Sequence, residues 1–211
     1  MSKPSRILWY FADPMCSWCW GFAPVISAIK EAYADQLRVA LLLGGLRPGT
    51  TEPMTAALRD EILHHWQEVQ RRTGQPFTFE GALPAGFVYD TEPASRAVVS
   101  VAEISPEETF PYFQSVQAAF YAQRQDVTQT QTLAALAEIH HIATAQFLEN
   151  FHSADVQAKT RRHFQQTQQA GVRGFPTVAL QDAAGTTLLT RGYRALEDLQ
   201  PEIDAWLARP A

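Results

Sequence analysis

The stretch Ile7-Leu8-Trp9-Tyr10-Phe11-Ala12-Asp13-Pro14-Met15-Cys16-Ser17-Trp18-Cys19 decides how the rest of the chain is read, because it leads an apolar segment into the only two cysteines of the sequence. The run Ile7 to Phe11 suits a strand buried on both faces. After the cysteines, Phe22, Val25, Ile26, Ile29 and Tyr33 recur at helical spacing, so Cys16 falls at the start of a helix and Cys19 one turn further on. A thiol at a helix start meets unpaired backbone N–H groups and the positive end of the helix dipole, both of which stabilise its thiolate. A second thiol one turn along can resolve the mixed disulfide that the first one forms.

Two other uses of the cysteines compete with this one. A zinc site asks for about four ligands, and His64-His65, His140-His141, His152 and His163 do not show finger spacing. Two cysteines joined in space by two distant histidines stay open as an alternative. A structural disulfide would close too short a loop to contribute much, since the entropic gain grows with loop length. A redox dithiol is the favoured reading, and no metal is expected.

The 211 residues suffice for a sizeable core without disulfide staples. The net charge of −5 is dispersed, which argues against nucleic acid as a partner. The basic cluster Arg161-Arg162-His163 is read as a solvated helix face. Residues Met1 to Arg6 precede a short apolar run with no cleavage-site pattern behind it, and no apolar stretch is long enough to cross a membrane. The expected location is the cytoplasm, where an accessible dithiol rests largely reduced.

Along the chain, Arg38 to Leu43 predicts a second buried strand ending at Gly44-Gly45, where the backbone can turn sharply or approach a ligand. Pro24 should kink the first helix. From about Thr51 to Ala170 the pattern is helical. Met54, Leu58, Ile62, Trp66 and Val69 form one stripe, and a Gly- and Pro-rich loop follows from Gly74 to Tyr89. Asp90 or Thr91 caps the next helix, with Pro93 in its first turn and Ala94, Ala97, Val98 and Val101 inside. Ser105-Pro106-Glu107-Glu108 reads as a capping box opening a helix through Phe110, Phe113, Val116 and Phe120, with Pro111 able to reset its start. Further helices are expected near Gln129 to His141, Thr144 to Phe151, and Ser153 to Ala170. Thr177 to Gln181 and Thr186 to Thr190 flank the turn signal Asp182-Ala183-Ala184-Gly185, and Leu196, Leu199, Ile203, Trp206 and Leu207 mark a last helix. The expected class is α/β: residues 1–50 and 171–211 form one discontinuous domain, with 51–170 as a large all-helical insertion.

A β-α-β half bearing Cys16-Ser-Trp-Cys19 and a β-β-α half preceded by Gly174-Phe175-Pro176-Thr177 together resemble the thioredoxin fold. The inserted helices make the chain similar to the DsbA family, and within it to the FrnE-like group of predicted protein-disulfide isomerases, over nearly its whole length. The resemblance implies Cys16 as nucleophile, Cys19 as resolving thiol and Pro176 as the cis-proline beside them. With a cis bond there, residue 175 can present its N–H and C=O to an extended peptide, and Trp18, between the thiols, is read as part of the same substrate surface, so Trp18, Phe175 and Pro176 are the expected substrate-binding residues. Family members commonly carry a buried carboxylate in the first strand, where this chain has Tyr10. The nearby Asp13 is read as a turn residue before Pro14, which leaves the proton acceptor for Cys19 unassigned. Trp20 is expected to pack at the domain interface.

The resulting expectation is a cytoplasmic thiol-disulfide oxidoreductase of the protein-disulfide reductase or isomerase type. It would need no cofactor beyond its redox-active disulfide, with glutathione as an allowed exchange partner. Its partners would be disulfide or dithiol proteins or small thiols. One alternative is a glutathione-dependent isomerase or transferase of the 2-hydroxychromene-2-carboxylate isomerase or kappa-class type, against which both retained cysteines count. Another is a non-enzymatic, chaperone-like binding module using the apolar surface near Trp18 and Phe175.

Overall fold

The computed structural model describes residues 6–209; Met1 to Ser5, read above as preceding the first strand, lie outside them. Strand β1 (Ile7–Ala12) leads into helix α1 (Ser17–Ala32), and strand β2 (Arg38–Leu43) returns parallel to β1 with Ile7 opposite Arg38. Six helices then intervene: α2 (Ala56–Thr73), α3 (Glu92–Ile104), α4 (Thr109–Tyr121), α5 (Thr130–Ile139), α6 (Thr144–His152) and α7 (Ala154–Gln169). The chain finishes with β3 (Thr177–Asp182), β4 (Gly185–Arg191) and α8 (Leu196–Leu207). The sheet order is β2-β1-β3-β4, with β3 antiparallel to both its neighbours. This is the DsbA-like thioredoxin fold with a helical insertion.

Burial follows the sequence pattern where tertiary contacts are dense. Leu8 and Tyr10 in the central strand are fully buried, as are Val178 and Leu180 of the neighbouring strand within about one per cent. The β3–β4 turn forms where Asp182-Ala-Ala-Gly185 predicts it: the Ala184 N–H donates to the Asp182 side chain at 2.9 Å, and Gly185 takes φ +135. Asp90, rather than Thr91, caps α3 with its side chain, which accepts from the Glu92 N–H at 3.0 Å.

Two local expectations are corrected. Ser105 does not form a capping box; its hydroxyl donates to Glu107 at 2.7 Å, Pro106–Glu108 coil into a 3₁₀ turn, and α4 opens only at Thr109. Pro111 then falls in the first turn of α4, where its missing N–H costs no intrahelical bond. His163 is not part of a solvated face. It turns inward from α7, and its Nδ1 accepts the Leu43 N–H at 3.3 Å while the Thr167 hydroxyl donates to the Leu43 carbonyl at 3.0 Å, so α7 covers the end of β2. Burial lowers the His163 pKa, which keeps the ring neutral and able to accept.

Pro24 lies inside an unbroken α1. Lacking an N–H, it leaves the Trp20 carbonyl without its helical donor. The Gln75 side chain supplies one at 2.8 Å, and the Trp20 indole donates in return to the Pro76 carbonyl at 3.0 Å. A vacancy in one helix is thus filled by the loop that follows another. Replacing Gln75 with Ala should cost about 1 kcal/mol of stability. In a Pro24→Ala background the restored amide can bond Trp20, and the cost of Gln75→Ala should shrink. Equal costs in both backgrounds, measured by urea denaturation as a double-mutant cycle, would contradict this coupling.

Candidate dithiol site

Cys16 is the N-cap of α1, in extended conformation at φ −96 and ψ 116. Its sulfur accepts the Cys19 N–H at 3.4 Å and its thiol donates to the Phe175 carbonyl at 3.5 Å. The cysteines are free thiols 3.2 Å apart. Cys16 keeps 6 % of its surface exposed and Cys19 none. Burial and the adjacent Cys16 push the Cys19 thiol well above its ordinary pKa, so Cys19 stays protonated when Cys16 reacts first.

The Phe175–Pro176 peptide bond is cis, and Pro176 is buried. Two elements hold this loop. The Thr177 hydroxyl donates to the Gly174 carbonyl at 2.8 Å, and the Gly192 N–H donates to the Pro176 carbonyl at 2.7 Å. The Phe175 ring rests on Gly44: a Cβ on that glycine would lie 2.0 Å from the ring. At Gly44-Gly45, where a sharp turn or a ligand's approach is expected, Gly45 takes φ +67 and the room is filled by the chain's own Phe175 and, at Gly45, Phe164. Trp18 is half-buried against Tyr193, with ring centres 6.2 Å apart and the Arg72 guanidinium 5.9 Å above it. Trp20 is buried and stacks on Tyr121.

Beneath the thiols lies a buried polar group that the sequence did not announce as a unit. Asp13 is fully buried; its two oxygens accept from the Met15 N–H at 2.9 Å and the Leu46 N–H at 2.8 Å. It makes the turn expected of it, with the Cys16 N–H donating to its carbonyl at 3.1 Å. It is also a second buried titratable group beside Cys19. Burial, only partly offset by those two N–H donors, pushes its pKa up to about 6. The Tyr10 hydroxyl has no hydrogen-bond partner among the described residues, and burial followed by the two thiols raises its pKa. Tyr89 donates to the Met15 carbonyl at 2.5 Å. Burial keeps Tyr89 and Tyr121 protonated too. Tyr89 and Tyr121 come from the helical segment, and only their places in an aromatic-rich stretch could have marked them.

Away from the thiols, Ser115, His140 and Glu108 line up through hydrogen bonds of 2.8 and 2.7 Å, an arrangement invisible in the sequence. Ser115 lies inside α4. The line ties α4 to the end of α5. Among the described residues no group of three or more His, Cys, Asp or Glu is arranged to hold a metal ion.

A family model described as a DSBA-like thioredoxin domain matches residues 7–204. The chain belongs to this family. A crystal structure from Nitrosomonas europaea, described as a candidate protein disulfide isomerase, is 47 % identical, with 98 % of each chain covered and a TM-score of 0.91. The cytosolic disulfide reductase DsbM of Pseudomonas aeruginosa is 26 % identical over 95 % of this chain and 98 % of that one, at a TM-score of 0.78, and has also been described with GSH. The ClpXP adapter protein SpxH of Halalkalibacterium halodurans is 22 % identical over 83 % of this chain. The match spans 58 % of that protein's length. The family is one of thiol-disulfide oxidoreductases that carry no cofactor beyond the intrinsic redox-active disulfide. No helix among the described residues is long and apolar enough to cross a membrane.

The buried Asp13 gives a pH signature. Its folded pKa of about 6 exceeds the ordinary 3.8, so between those values the folded state binds more protons than the unfolded one and stability falls as pH rises. The cost, fully present above about pH 6, is about 3 kcal/mol at 1.36 kcal/mol per unit. Asp13→Asn removes the charge and exchanges one N–H acceptor for an amide donor. Denaturation at about pH 4 and about pH 7.5 should therefore show the variant gaining on the wild type by about 2.4 kcal/mol across that range, since the unfolded-state carboxyl is already partly ionised at pH 4. A pH-independent difference would show that Asp13 is not a buried ionising group.

Proposed function

We propose that this chain reduces or isomerises disulfides in the cytoplasm through Cys16 and Cys19. The observation that carries the proposal is the asymmetry of the pair: Cys16 sits at a helix N-cap with a sliver of exposure and an N–H aimed at its sulfur, while Cys19 is sealed beneath it. The Cys16 thiolate attacks one sulfur of a substrate disulfide and forms a mixed disulfide, releasing the other sulfur as a thiolate. Cys19 then loses its proton and attacks the Cys16 sulfur. The second substrate thiolate leaves, two electrons have passed from the dithiol to the substrate, and the Cys16–Cys19 bond remains. Run backwards, the same steps oxidise a dithiol; isomerisation returns the mixed disulfide to a different substrate thiol.

Asp13 is the group we assign to take the Cys19 proton, in the place where the strand position holds Tyr10. An ionised carboxylate with a pKa of about 6 is matched to that task near neutral pH. Trp18 and Phe175 form the docking surface, with the Phe175 backbone, held by the buried Pro176, offering an edge to an extended peptide. The chain divides on this view into a thioredoxin-like unit, 1–50 with 171–211, and a helical unit, 51–170, that closes the floor of the site with Tyr89 and Tyr121. Likeness to DsbM supports both the reducing direction and glutathione as an exchange partner. A second reading, a binding adapter, draws on the SpxH relatives.

Cys19→Ser should trap mixed disulfides on Cys16 that survive non-reducing electrophoresis, whereas Cys16→Ser should trap none and lose all disulfide reduction. In the wild type the transient mixed disulfide should resolve faster as pH rises through about 6, and Asp13→Asn should remove that rise. Biological function that persists when both cysteines are replaced would favour the adapter instead.

A further inference from the structure

The loop that presents Phe175 to Cys16 also forms one wall of a cavity of about 450 Å³. Arg173 precedes Phe175 in that loop, and Arg191, at the end of β4, faces the same space from the strand paired with Thr177. Both arginines are exposed, and among the described residues neither is ion-paired with a carboxylate. No acidic side chain lines the cavity. In a chain of net charge −5, two uncompensated guanidiniums beside the dithiol stand out as a local reversal of sign.

Between the two arginines the lining is Phe175, Thr177 and three glycines. Gly171, Gly174 and Gly192 leave backbone accessible, and a Cβ on any of them would meet nothing within 4 Å. The cavity lies at the small end of ligand-site volumes, room for a tripeptide rather than a folded segment. Phe175 is shared between the cavity wall and the contact with the Cys16 sulfur, so an occupant needs to span only one residue to bring its own sulfur to Cys16.

We propose that Arg173 and Arg191 form a carboxylate clamp that selects small anionic thiols, of tripeptide size with two carboxylates, as exchange partners of Cys16. This rests on the thiol-disulfide exchange proposed above and adds which class of small substrate that site prefers. With such a substrate as its disulfide, the guanidiniums hold the carboxylates, Cys16 forms the mixed disulfide, and Cys19 releases the second thiol. Two substrate thiols form, and the dithiol supplies both electrons.

The test compares reduction of glutathione disulfide with reduction of uncharged hydroxyethyl disulfide by the reduced protein. It is paired with calorimetric binding of S-methylglutathione, which cannot undergo exchange. For Arg173→Ala/Arg191→Ala, the ratio of the two second-order rate constants should fall about tenfold, the product of two exposed charge contacts of a few-fold each. S-methylglutathione binding should weaken in parallel, and the wild-type preference should decline with salt. Arg173→Lys/Arg191→Lys should recover part of the ratio. An unchanged ratio together with arginine-independent binding overturns the clamp. A wild type that binds S-methylglutathione through these arginines yet reduces neither disulfide keeps the clamp and overturns the exchange chemistry instead.

Discussion

The antiparallel pairing of β1 with β3 is the constraint on which the site depends. Phe11 lies opposite Thr177 and Tyr10 opposite Val178, so the end of one strand and the start of the other emerge at the same edge of the sheet. From that edge β1 continues into the turn that ends at Cys16, and β3 is entered through Phe175-Pro176. Residues 159 positions apart in sequence thereby meet within 3.5 Å. Neither half could bury its central strand without the other, because Leu8 and Tyr10 need β3 beside them as well as helices above and below.

The helices inserted between β2 and β3 take part in the chemistry's surroundings. They return Gln75 to the Trp20 carbonyl freed by Pro24, set Tyr121 against the Trp20 ring, and bring Tyr89 to the Met15 carbonyl. Each contact fixes a residue within a few positions of a cysteine. The same packing removes water from Cys19, Asp13 and Tyr10, which raises all three pKa values: Cys19 and Tyr10 hold their protons near neutral pH, and Asp13 gives up its own only at about 6. Cys16 alone keeps contact with solvent and with the loop bearing Phe175, so attack and resolution fall to sulfurs in different surroundings.

Much of this was legible in the sequence because it is local. The apolar run before the cysteines, the helical spacing after them and the Asp182 to Gly185 turn are set by near neighbours, and each element forms where its pattern places it. What escaped depends on contacts made in space. Asp13 is indistinguishable by pattern from any turn aspartate, and only burial turns it into a titrating group. Gly44 gives no sign of which side chain will occupy the room its missing Cβ leaves. Ser105 satisfies a capping pattern that loses to Pro106 and a 3₁₀ turn, and His163 sits in a basic, polar run yet is drawn in by the backbone of Leu43. Arg173 and Arg191 are eighteen positions apart and share a cavity only because the β3–β4 hairpin folds one beside the other.

The asymmetry between the two thiols can be measured directly by alkylating the reduced protein at mildly acidic pH, with the modified residue mapped by mass spectrometry over time. Cys16, at the N-cap and partly exposed, should be modified well before Cys19, whose thiol is buried and held protonated. Equal rates, or modification of Cys19 first, would contradict the assignment of attack to Cys16 and of resolution to Cys19.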